Sequence, residues 1–115
     1  MKIYHNPRCS KSRSALAYLE ASGRKFEVVE YLENTPDSEE LKEILNKLEM
    51  SARDLLRKGE DAYKENGLGD MNLLEDEIVA FMVKYPKLIE RPIIVKGDKA
   101  CIARPLENLE ELLND

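Results

Sequence analysis

The chain has 115 residues, a length suited to one domain, and 43% of them are hydrophobic, enough for a single modest core. The net charge is −5, which excludes a general affinity for nucleic acid or for anionic membrane. That charge is uneven, because residues 1–25 hold six Lys or Arg and one Glu, a basic island in an acidic protein.

The N-terminus, MKIYHNPRCS, has no apolar signal core, and no uncharged run approaches membrane-spanning length, so a cytoplasmic protein is expected, with no membrane partner. Its two cysteines, Cys9 and Cys101, lack metal-ligand spacing and there is one histidine, so no metal site is expected. A reducing compartment also disfavours a structural disulfide between them.

Lys2 to His5 suit a first strand, and Asn6-Pro7 forces the chain out of it. A helix then begins with Cys9 or Ser10 as its N-cap, carries Ala15, Leu16 and Leu19 on one face, and stops at Gly23. Phe26 to Tyr31 is rich in β-branched and aromatic residues and predicts a second strand, parallel to the first through the helical crossover.

Asn34-Thr35-Pro36-Asp37 supplies turn and cap residues, and Leu41, Ile44, Leu45 and Leu48 follow at amphipathic helical spacing. Ser51 can cap a helix through Leu55 and Leu56, Asp61 to Asn66 suits a short helix ended by Gly67, and Leu74, Ile78, Phe81 and Met82 mark a longer one. Residues 37–85 therefore read as a helical insertion. The sheet pattern returns at Arg91-Pro92-Ile93-Ile94-Val95, with Gly97-Asp98 as a two-residue hairpin turn into Ala100 to Ala103. Pro105 is expected to open a last helix through Leu109, Leu112 and Leu113. The order is β-α-β, helical insert, β-β-α, an α/β protein read as one domain over residues 1–115.

HNPRCSKSR, His5 to Arg13, carries the chemistry. A cysteine is nucleophilic as its thiolate, and a helix N-terminus lowers its pKa through the dipole and unpaired N–H groups. Arg8, Lys11 and Arg13 add positive potential, and His5 can assist when protonated or as a hydrogen-bond donor. The same N–H groups form an anion site, so an oxyanion can bind at the nucleophile. A phosphatase-type loop would need Arg at position 15, which is Ala, and Ser12 takes the place of a second thiol. The anion clamp and the resolving thiol must come from elsewhere. Cys101, in an apolar strand, is expected to be packed.

Four blocks, IYHNPRCSKSR, LLRKGEDAYKENGL, ERPIIV and IARPLE, occur in an order that resembles the glutaredoxin-coupled arsenate reductase family over essentially the whole chain. The pattern is closer to a sister branch, because Ser10-Lys11 follow the cysteine where a small residue and Thr are common. The resemblance implies a thioredoxin-like (glutaredoxin-like) fold with a mixed four-stranded sheet and a helical insertion. It also implies Cys9 as the catalytic residue, Arg57, Arg91 and Arg104 as substrate-binding arginines, and Pro92 as the cis-proline of such folds. His5, Asn6 and Ser12 are the supporting residues. Arginine suits that role, since its planar, permanently charged fork matches an oxyanion in bidentate geometry.

The implied reaction is reduction of arsenate to arsenite through a Cys9 adduct. Glutathione is a co-substrate, glutaredoxin a protein partner, no cofactor is bound and a monomer is expected. Two alternatives have different chemistry: a regulator resembling the Spx branch that binds RNA polymerase, and a glutathione-linked thiol oxidoreductase acting on another substrate.

Overall fold

The computed structural model describes residues Met1–Asn114. They form two compact units: Met1–Asn34 with the segment from Arg91 onward, and Thr35–Glu90.

The first unit is built on a four-stranded sheet of order β2-β1-β3-β4, formed by β1 (Lys2–Tyr4), β2 (Glu27–Val29), β3 (Ile93–Lys96) and β4 (Lys99–Ile102). β1 runs parallel to β2, with Ile3 opposite Val28, and antiparallel to β3, with Ile3 opposite Ile94. β3 and β4 form the expected hairpin, Lys96 pairing with Lys99 across Gly97-Asp98. Gly97 has φ of +62°, a left-handed conformation that glycine adopts without a Cβ penalty. The result is the mixed four-stranded sheet of a thioredoxin-like fold.

Helix α1 (Ser10–Ala21) connects β1 to β2, and α6 (Glu107–Leu113) packs against β3 and β4. The core of this unit gathers Ile3, Ala15, Leu19, Ile94, Ala103, Leu109, Leu112 and Leu113. Cys101, opposite Ile94, packs against that cluster as expected, and burial pushes its thiol up to about 11. Ile93, Ile94 and Val95 are all buried, which explains why β3 reads as an unbroken apolar run rather than an alternating one.

The second unit holds α2 (Ser38–Leu48), α3 (Ala52–Leu55), α4 (Asp61–Glu65), α5 (Glu75–Lys84) and a 3₁₀ turn, Pro86–Leu88. The Asp37 side chain accepts from the Glu40 N–H at 2.8 Å, and Ser51 with Asp54 forms a capping box on α3. Arg53 donates to the Leu68 and Asp70 carbonyls, and the Ala52 N–H donates to the Glu75 carboxylate. Leu56 bridges to Ile89, with the Arg57 N–H on the Leu88 carbonyl at 2.8 Å and the Glu90 N–H on the Leu55 carbonyl at 3.0 Å.

Three expectations about element limits are corrected. β2 is shorter than Phe26 to Tyr31, because β1 offers only three residues to pair with before the chain turns away at Asn6-Pro7. Leu74 is not on the apolar stripe of α5: it is the N-cap, extended at φ −76° and ψ 154°, and its side chain is 67% exposed. α6 starts at Glu107 rather than Pro105, although the Asn108 N–H already bonds the Pro105 carbonyl at 3.1 Å. That first turn closes with i→i+3 bonds, so the regular helix begins later. No helix among the described residues is long and apolar enough to cross a membrane.

Leu109 is fully buried between α6 and the sheet. Leu109→Ala is expected to lower unfolding stability by about 2–5 kcal/mol. Urea denaturation will show this as a fall in the midpoint with an unchanged slope.

Candidate active site

Asn6 shapes the turn between β1 and α1. Its side-chain oxygen accepts from the Arg8 N–H at 3.0 Å, and its carbonyl accepts from the Cys9 N–H at 3.0 Å. This leaves Cys9 as the N-cap of α1, with extended φ of −97° and ψ of 122°, and its carbonyl accepts the first helical bond, from the Arg13 N–H. No side chain caps the helix, and its first turn has no acidic residue. The cysteine stands at the position where Ser, Thr, Asp or Asn usually caps a helix.

Burial pushes the Cys9 thiol up, but the Ser12 N–H, the Arg91 guanidinium by hydrogen bond and by charge, and the Lys11 N–H together outweigh it. The net shift is downward, so the thiolate is favoured. A 12-residue helix behind the sulfur adds its positive end.

The cation that lowers Cys9 thus comes from 82 residues away in the chain rather than from the loop itself. Arg13 donates to the Pro7 carbonyl at 2.9 Å, tying the loop instead, and Arg8 and Lys11 are exposed.

Sheet register explains how Arg91 arrives. Tyr4 at the end of β1 pairs with Ile93 at the start of β3, and Ile93 pairs with Ile102 at the end of β4. The ladder goes one step further, with the Ala103 N–H on the Pro92 carbonyl at 3.0 Å. One more residue along each strand lie Arg91 and Arg104, at the end of the sheet from which β1 leads to Cys9. The Arg91–Pro92 peptide is cis, as expected for Pro92, and so is Arg104–Pro105. Arg104 is exposed.

Arg91 is the one of the three arginines with a decisive environment. Its Nε and Nη1 are buried with no hydrogen-bond partner among the described residues, while the guanidinium lowers the pKa of the sulfur. An unpaired buried guanidinium donor is costly, and an anion beside the sulfur would satisfy it. Arg57 lies in the helical unit, half-buried, its backbone held by the Leu88 carbonyl just after α3.

Of the two roles expected for His5, the structure shows a hydrogen bond and disfavours the charged form. His5 is buried, its Nδ1 shares a hydrogen bond with Ser12 Oγ at 2.6 Å, and Ser12 Oγ accepts from the Asn6 N–H at 3.0 Å. Burial lowers the His5 pKa, with Glu30 opposing and Arg13 reinforcing the shift, so the ring is held neutral near pH 7. The three supporting residues therefore form one network that pins the first turn of α1. Sequence reasoning missed the backbone N–H groups of Lys11 and Ser12 as named donors, since main-chain groups leave no mark in residue identity.

Among the described residues no cluster of His, Cys, Asp or Glu could hold a metal. A family model described as ArsC family matches residues 4–112. The chain belongs to the ArsC family. An ArsC family relative, the arsenate reductase of Neisseria meningitidis serogroup A, is 51% identical over 98% of this chain and 97% of its own. The arsenate reductase of Escherichia coli K12 is 38% identical over 98% of this chain and 80% of its own length. Among solved structures, an arsenate reductase from Vibrio cholerae superposes with a TM-score of 0.90 at 46% identity, covering 96% of this chain and 97% of that one.

If Arg91 lowers the Cys9 thiol, Arg91→Ala shifts the pH profile of its iodoacetamide alkylation upward, toward that of an ordinary cysteine. The Cys9 thiolate forms as pH rises through its lowered pKa, well before Cys101, which is pushed up to about 11. An unchanged Cys9 profile in the variant would remove Arg91 from this role.

Proposed function

We propose that this ArsC family protein reduces arsenate to arsenite, with Cys9 as nucleophile and glutathione and glutaredoxin as thiol donors. The observation that carries the reading is the buried, unpartnered Nε–H and Nη1–H of an arginine whose guanidinium also lowers the pKa of the nucleophilic sulfur. Those donors suit a tetrahedral oxyanion at the point of attack. The arsenate reductases at 51% and 38% identity support arsenate as that anion.

In the proposed cycle the Cys9 thiolate attacks arsenic, an As–S bond forms, and one arsenate oxygen leaves as water after protonation. Glutathione then attacks arsenic, forming a second As–S bond as another arsenate oxygen is protonated and leaves as water. A second thiol, from glutaredoxin, takes the glutathione sulfur, so two thiols become one disulfide and their two electrons reduce As(V) to As(III). Hydrolysis of the remaining As–S bond releases arsenite and restores Cys9. Glutathione is consumed as a co-substrate, and the chain supplies no resolving thiol of its own, with Ser at position 12.

Arg91 holds the oxyanion as charge shifts onto oxygen during attack, and Arg104, its neighbour by register, adds a second donor set. Arg57 is a third candidate for binding the oxyanion, on the resemblance of its block LLRKGEDAYKENGL alone. His5, Asn6 and Ser12 hold the first turn of α1, whose N–H groups lower the Cys9 pKa, and neutral His5 avoids a competing charge.

The test is a steady-state assay with arsenate, glutathione and glutaredoxin, omitting each in turn. Turnover is expected only in the complete mixture, and no arsenite above background would sink the proposed reaction. Cys9→Ser is expected to reduce turnover to background, and Arg91→Ala to lower kcat/KM for arsenate about 10²- to 10³-fold, as loss of a buried oxyanion donor does.

A further inference from the structure

We propose that Arg8 and Lys11 form a docking site for the carboxylates of the thiol that meets Cys9, so that the protein selects an anionic thiol over a neutral one. The inference rests on the reading above in that an external thiol must reach the cysteine, and it adds what that thiol must look like.

Cations around Cys9 divide into two groups by what they touch. Arg91 acts on the sulfur, and Arg13 is tied to the Pro7 carbonyl. Arg8, immediately before Cys9, and Lys11, two residues after it, are exposed and make no side-chain hydrogen bond or ion pair among the described residues. No acidic side chain precedes Glu20 in the chain, and none occupies the first turn of α1. The two charges are uncompensated locally, although the whole chain carries −5.

Size separates their role from that of Arg91. Cys9 is 8% exposed, so what sits beside the sulfur must be small, whereas a peptide thiol can present only its sulfur and must rest its remaining groups on the rim. Glutathione has two carboxylates and a net charge of −1, and an acidic protein would repel it without a local reversal of sign. Adjacent residues are about 3.8 Å apart along the backbone, so the positions that carry both cations lie within a Debye length of about 10 Å of Cys9 at 0.1 M salt.

The test follows the thiol half-reaction without arsenate. The Cys9 thiolate attacks a disulfide sulfur, one S–S bond forms and one breaks, and a thiolate leaves. Rates of mixed-disulfide formation at Cys9 are measured by peptide mass spectrometry for oxidised glutathione and for neutral bis(2-hydroxyethyl) disulfide, on the full chain. The ratio of the two rates cancels changes in thiolate content.

In the variant Arg8→Gln/Lys11→Gln the ratio is expected to fall about 3- to 10-fold, the low end of electrostatic steering, and in the unsubstituted protein to fall with added salt. A ratio that the variant leaves unchanged, or that is insensitive to salt, overturns the docking site. A lowered ratio with no arsenite formed in the complete assay supports the docking site and removes arsenate as substrate. Arsenite formation with an unchanged ratio does the reverse.

Discussion

The site depends on a sulfur in the position where a helix normally takes an oxygen. At an N-cap, Asp, Asn or Ser would accept from the free N–H groups of the first turn. Here Cys9 occupies that position and the Ser12 and Lys11 N–H groups lower its pKa. Burial alone would keep the thiol protonated, so the backbone donors and Arg91 together decide its state. The N–H groups of the helix terminus stabilise the thiolate.

Such an arrangement requires the first turn of α1 to be held still. Asn6 bonds forward to Arg8 and Cys9, and its own N–H meets Ser12, whose hydroxyl is shared with a buried, neutral His5. The His5 backbone N–H also anchors the turn to β2 through the Val29 carbonyl at 2.8 Å. Protonating His5 in that setting would place a second cation in a buried site, which desolvation opposes. The ring serves the site through geometry rather than through charge.

The sheet supplies the other half. Antiparallel pairing of β1 with β3 and of β3 with β4 brings the end of β1, the start of β3 and the end of β4 to one edge of the fold. Cys9, Arg91 and Arg104 come from those three segments. A guanidinium with two buried donors left unpaired is unfavourable for folding alone, and its position against the nucleophile makes sense as preorganisation for an anion. Charge is thus layered: one half-buried arginine with two buried donors beside the sulfur, and exposed Arg8 and Lys11 at the rim.

The residues by themselves determined the order of elements, the hairpin at Gly97-Asp98, the apolar cluster and the cysteine before a helix, because periodicity, turn chemistry and caps are local. The same locality explains the errors at Leu74 and Pro105, where a cap residue and a 3₁₀-type first turn mimic a helical position. Arg57, Arg91 and Arg104 could be named from family blocks, but nothing in composition or spacing distinguishes a buried arginine from an exposed one. Only tertiary structure decided that Arg91 lies on the Cys9 sulfur while Arg13, four residues from that cysteine, does not lower it and instead ties down the loop. It also decided that His5 is neutral. The physical reason is common to both: a pKa depends on desolvation and on which donors reach the atom, and these are set by strand register and burial, which bring together groups far apart in the chain.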